Sequence, residues 1–113
     1  MVTEELCAKV YDMLHVTKPF VSWNLPDSED VKFVVYNSLA NRAEHQFWND
    51  RHTIWVSKRH NKRLDDVIMV MAHEMIHVFE EHVGISCGHE HSDAFWKLAK
   101  QVCRIHGFDY DKF

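Results

Sequence analysis

The sequence predicts a single α+β domain over residues 1–113, in which a small three-stranded antiparallel sheet packs against an N-terminal, a central and a C-terminal helix. Three observations predict it. Apolar residues recur at spacings of three and four in three separated segments, the pattern of helices that each bury one face. Between the first and second of these, residues 31–56 change to β-branched and aromatic types interrupted by turn-forming ones. Apolar content of 46%, with seven Phe and four Trp, is ample for one core, while only three Gly and two Pro argue against a disordered or loop-dominated chain.

In the first helix, Thr3 is an N-cap followed by the acidic first turn Glu4-Glu5, with Leu6, Val10, Met13 and Leu14 on one face as far as about His15. Lys18-Pro19 ends it, and Pro19 to Asp30 reads as a connection without regular structure, with Trp23 capping the core. Val31 to Tyr36 is the first strand. Asn37 to Asn41 joins it to a second, Ala43 to Trp48, and Asn49 to His52 turns the chain into a third, Thr53 to Val56, as an antiparallel hairpin.

The central helix runs from about Leu64 to Val83 with an apolar stripe of Leu64, Val67, Ile68, Met71, Ala72, Met75, Ile76, Phe79 and Val83. Gly84 to Glu90 breaks the pattern. Ser92 then caps a last helix bearing Phe95, Leu98, Ala99, Val102 and Cys103, which Gly107 terminates, and the tail Phe108 to Phe113 folds back or frays.

The central helix contains His73-Glu74-Met75-Ile76-His77. At about 100° per residue, His73 and His77 come together roughly opposite the apolar stripe and point away from the core, with Glu74 to one side. Side chains four apart on a helix have Cβ atoms about 5 to 6 Å apart, which lets two imidazole nitrogens reach one Zn²⁺ at about 2.0 to 2.1 Å. Glu74 is then placed to take a proton from a metal-activated water, the role of the glutamate in this motif.

A catalytic zinc normally has three protein ligands and one open position, so another residue is required. His82 has turned onto the apolar side of the helix by this count, and the metzincin pattern fails because Glu80 and Val83 stand where it needs Gly and His. His91 is preferred, since it immediately precedes the capping Ser92 and the last helix can hold it. His89 is second and Glu90 third, while Cys87 would be an unusual ligand beside this motif.

A formal net charge of −4 with histidines neutral lacks the strongly basic face of a dedicated nucleic-acid binder. The one basic cluster, Lys58 to Arg63, reads as a solvated loop that can reach phosphate or an acidic substrate. Three widely spaced cysteines, an acidic N-terminus and the lack of an apolar run of about 18 residues predict a cytoplasmic chain with no membrane segment.

His73-Glu74-Met75-Ile76-His77, the downstream His91-Ser92-Asp93-Ala94-Phe95 and the strand Ile54-Trp55-Val56-Ser57 together resemble the SprT-like zinc metallopeptidases, which include the protease domain of Spartan, and the similar WLM proteins. The resemblance covers roughly residues 33–102. It implies a minimal zincin-like fold, one catalytic Zn²⁺ on His73, His77 and His91, Glu74 as general base, and proteolysis, in some members of proteins crosslinked to DNA. The longer members carry Cys-x-x-Cys pairs and an appended DNA-binding region that this sequence does not show, so action on DNA-associated proteins stays open as an expectation of the resemblance and draws no support from charge. The expected activity is hydrolysis of peptide bonds in a protein substrate lying along the sheet edge. The rival readings are a non-catalytic zinc-containing adaptor that grips a partner through Lys58 to Arg63, and a zinc hydrolase acting on nucleic acid.

Overall fold

The structure, a computed structural model, describes residues 1–85 and 91–113. Its elements are α1 (Glu4–His15), β1 (Val31–Tyr36), β2 (Ala43–Trp48), β3 (Arg51–Ser57), α2 (Leu64–Val83) and α3 (Asp93–His106), with 3₁₀ turns at Phe20–Ser22, Ser28–Asp30 and Tyr110–Lys112. The fold is α+β.

Each helix is delimited by local chemistry. The Thr3 hydroxyl accepts from the Leu6 amide at 3.1 Å and starts α1, and the Ser92 hydroxyl accepts from the Phe95 amide at 3.2 Å and starts α3. Gly84 at φ 76° and Gly107 at φ 77° end α2 and α3 in the left-handed conformation that glycine adopts without strain. The buried face of α1 is Cys7, Val10, Tyr11 and Leu14. Met13, expected on that face, is exposed because the face centres on Tyr11 instead. The stretch after Pro19 is not wholly irregular: it makes two short 3₁₀ turns, and Trp23 stacks on Phe79 at 4.5 Å over the core.

The sheet corrects the antiparallel expectation. Its order is β1-β3-β2, with β2 antiparallel to β3 but β1 parallel to β3. The hairpin is as expected and tighter: Asn49 and Asp50 both take positive φ (53° and 59°), which these residue types tolerate, so pairing begins at Trp48 with Arg51 and β3 starts two residues early. The strand β3 is the most buried of the three, with His52, Ile54 and Val56 turned inward, and it takes the centre where both edges are covered. The chain from β1 to β2 therefore crosses the end of β3 rather than turning back beside β1. Two buried polar residues hold that crossing: the Ser57 hydroxyl donates to the Ser38 carbonyl at 2.7 Å, and the Asn61 amide donates to the carbonyls of Arg42 and Ser57, each at 2.8 Å.

Register puts Val31, Phe33 and Val35, then His52, Ile54 and Val56, then Phe47, His45 and Ala43 on one face of the sheet. The helices α1 and α2 pack against the sheet, and α3 packs on α2. The core gathers Tyr11, Leu14, Phe20, Ile54, Met71, Met75, Ile76, Phe95, Ala99 and Val102. The helix α2 is buried on more than one side: Val70, Glu74, Val78 and Glu80 are covered as well as the stripe, while Leu64 and Val83 at its ends are exposed. The histidine face is therefore less open to solvent than the helical count suggested, with His73 and His77 half-buried against α3 and the tail. The tail folds back, with Phe113 buried. Among the described residues no helix is long and apolar enough to cross a membrane.

Candidate metal centre

The helix α2 carries His73 and His77 one turn apart, and the residue before the α3 cap brings His91 to them. One nitrogen from each ring lies within 4.8 Å of the other two, and Nε2 of His73 is 3.0 Å from Nε2 of His91. Ring centroids are 5.2 Å apart for His73 and His77, 5.0 Å for His73 and His91, and 5.3 Å for His77 and His91. Phe95 packs against all three rings, stacked on His77 at 4.6 Å.

The outer nitrogens are oriented. Nδ1 of His73 lies 2.8 Å from the Phe113 main-chain oxygen, and Nδ1 of His77 lies 3.3 Å from Oε1 of Glu80. A carbonyl or carboxylate oxygen can only accept, so Nδ1 carries the proton in each neutral ring and Nε2 keeps its lone pair. Glu80 is itself positioned, taking a hydrogen bond from the Ser92 hydroxyl at 3.3 Å. This is the outer support that fixes histidine ligands at metal sites.

Electrostatics favours the same state. Burial first, and the neighbouring imidazoles second, push His73 and His77 down to about 3, so both are neutral donors at pH 7. The ion pair suggested by the His77–Glu80 distance is therefore a hydrogen bond from a neutral imidazole. Burial raises the Glu80 carboxyl and the Ser92 hydrogen bond partly opposes it. The donor set fits a cation that favours imidazole nitrogen, and zinc suits three such ligands with one position left open.

Glu74 is 4% exposed and lines a cleft of about 200 Å³ together with Arg42, Ala43, Val70, His73, His91, Trp96 and Phe113. The predicted residues His73, His77 and His91 thus converge, with Glu74 on the cleft beside them. His82 is exposed in the last turn of α2, not on the apolar side, because the helix there has run past the core. It takes no part in the cluster. Cys87, His89 and Glu90 lie outside the described residues.

Four contributors were not anticipated. Glu80 sits three residues after His77, a spacing that places it on the same face and was a readable signal. His45 was another, since alternation along β2 turns it inward. Its ring lies parallel to that of His77 at 6.3 Å, its Nε2 is 2.9 Å from Nδ1 of His52, and burial followed by His52 lowers it to about 4. Phe113 acts through its main chain and Arg42 through the crossing loop, and neither leaves a mark in sequence. No protein-family model, curated protein or solved structure matches this chain.

Proposed function

We propose that this chain is a zinc-dependent peptidase that hydrolyses peptide bonds in protein substrates. The observation that supports it is the convergence of three imidazole nitrogens within 4.8 Å beside the cleft that Glu74 lines. Three imidazoles are the ligand count of catalytic zinc, whereas structural zinc is closed by four protein ligands. Bound there, zinc supplies Lewis acidity, lowering the pKa of a water to about 7 and polarising the scissile carbonyl. Glu74 accepts the proton of the attacking water and returns it to the leaving amine.

The other residues hold this geometry. His73 and His77 keep Nε2 facing inward through Phe113 and Glu80, and His91 is carried by the capped start of α3. The strand β2 lies at one edge of the sheet, and its inward residue His45 stands beside His77, so an extended substrate adds along β2 as a further strand. The similarity to SprT-like and WLM proteins supports the same chemistry. The net charge of −4 favours a protein over a nucleic-acid substrate. Cys7 and Cys103 are buried free thiols, which supports a reducing compartment.

The test is cleavage of a disordered protein by the zinc-loaded chain, by the chain stripped with a chelator, and by the stripped chain given one equivalent of zinc. Cleavage is expected from the first and third only, whether or not single-stranded DNA is present. One bound zinc without cleavage under any of these conditions would contradict the peptidase reading and favour the adaptor.

A further inference from the structure

Arg42 enters the cleft from the end of the crossing loop, and both of its ends are tied. Its carbonyl accepts from the Ser57 amide at 2.9 Å and from the Asn61 side chain at 2.8 Å. Its Nη2 donates to the Lys112 main-chain oxygen at 2.9 Å. Arg42 therefore lines the cleft together with His73, Glu74, His91, Trp96 and Phe113.

Among the described residues that cation has no carboxylate within ion-pair distance. A guanidinium carries five N–H donors in a planar fork, and among the described residues one is engaged, by a neutral oxygen. Among the described residues the ion pairs are Lys9 with Glu5 and Arg63 with Asp65, so Arg42 forms none there. The first carboxylate of β2, Glu44, takes the Tyr36 hydroxyl at 2.6 Å. A fork fixed at one tip, facing a cleft of about 200 Å³, matches the planar two-oxygen geometry of a carboxylate.

We propose that Arg42 is a carboxylate-binding subsite and that the cleft selects substrates with an Asp or Glu side chain next to the scissile bond. The inference rests on the peptidase reading for its substrate, and on the cleft alone for its chemistry. Arg42 directly precedes β2, so a strand laid along that edge brings a side chain over the guanidinium while its main chain pairs with β2. The volume admits roughly one side chain, and Trp96 and Phe113 cover its aliphatic part. Arg42 is a specificity residue here, acting on binding rather than on the bond broken.

The experiment uses zinc-loaded Glu74→Gln, which removes the general base, and measures binding of fluorescent hexapeptides that differ only in a central Glu or Gln. Expected is a preference for the Glu peptide of about tenfold or more, lost in Glu74→Gln/Arg42→Gln and partly kept in Glu74→Gln/Arg42→Lys. Each comparison is made in one background, so the charge lost at residue 74 cancels. In the native chain, Arg42→Gln should raise KM for the Glu peptide and leave the Gln peptide unchanged. An equal loss of kcat on both peptides would overturn the proposal, because Arg42 would then be acting on the reaction. So would an undiminished preference without Arg42, or an oligonucleotide that displaces both peptides through Arg42. Binding selectivity without cleavage by the native chain would sink the peptidase reading and leave this one standing; cleavage with no acidic preference would do the reverse.

Discussion

Glu74→Gln should lower peptide hydrolysis by about 10² to 10⁴-fold, the range that a positioned general base contributes, while the protein keeps its zinc. Glutamine matches glutamate in size and keeps a hydrogen-bonding side chain, so the substitution suits a position that is 4% exposed and packed within α2. What it removes is the basic oxygen. Glu74 is not among the three clustered nitrogen donors, so metal content should be unchanged. Initial rates on a disordered protein, with zinc analysis of the same preparations, check both parts. A fall of less than tenfold would remove Glu74 from the proposed chemistry, and loss of zinc would make it a ligand.

The second large effect concerns the ligands. Zinc affinities of about 10 to 16 kcal/mol at four-ligand protein sites correspond to roughly 3 kcal/mol per ligand, so His77→Ala should weaken zinc binding by a hundredfold or more. It also leaves the buried Glu80 carboxylate without its imidazole partner and takes away the ring stacked on Phe95 at 4.6 Å. Glu80→Gln should be milder, about 10 to 100-fold, because an outer partner orients the ligand without binding the metal. Competition with a chromophoric chelator gives both affinities. The order is the prediction: a Glu80→Gln loss equal to that of His77→Ala would mean that Glu80 itself binds zinc. Thermal unfolding gives a second reading, since zinc stabilises the native chain by an amount that rises with the logarithm of its affinity, so a given zinc concentration should raise the stability of His77→Ala far less.

Sequence reading reaches furthest where the physics is local. Thr3, Ser92, Gly84 and Gly107 mark helix ends through bonds and backbone angles within a few residues, and those ends lie where expected. His73 and His77 needed only helical geometry, and His91 only the capping residue that follows it. The partner strand of β1 needed more. Whether β1 lies beside β2 or β3 depends on which strand takes the buried centre, a comparison across the whole sheet that no local window contains. The Ser57 and Asn61 bonds that stabilise the crossing become meaningful only once that order is known. Periodicity also understated the burial of α2, because one apolar stripe accounts for one packed face. The roof over His73 comes from Phe95 and the folded tail, and its bond to Phe113 runs through a main-chain oxygen that every residue possesses.

The claim on which the proposed chemistry depends is that His73, His77 and His91 hold one zinc and leave a position open. X-ray absorption at the zinc edge of the metal-loaded protein tests it. The account predicts three imidazole nitrogens at about 2.0 to 2.1 Å with one further light atom, and the loss of one imidazole in His91→Ala. A sulfur at about 2.3 Å, which would bring Cys87 into the set, or a spectrum unchanged in His91→Ala, would contradict it.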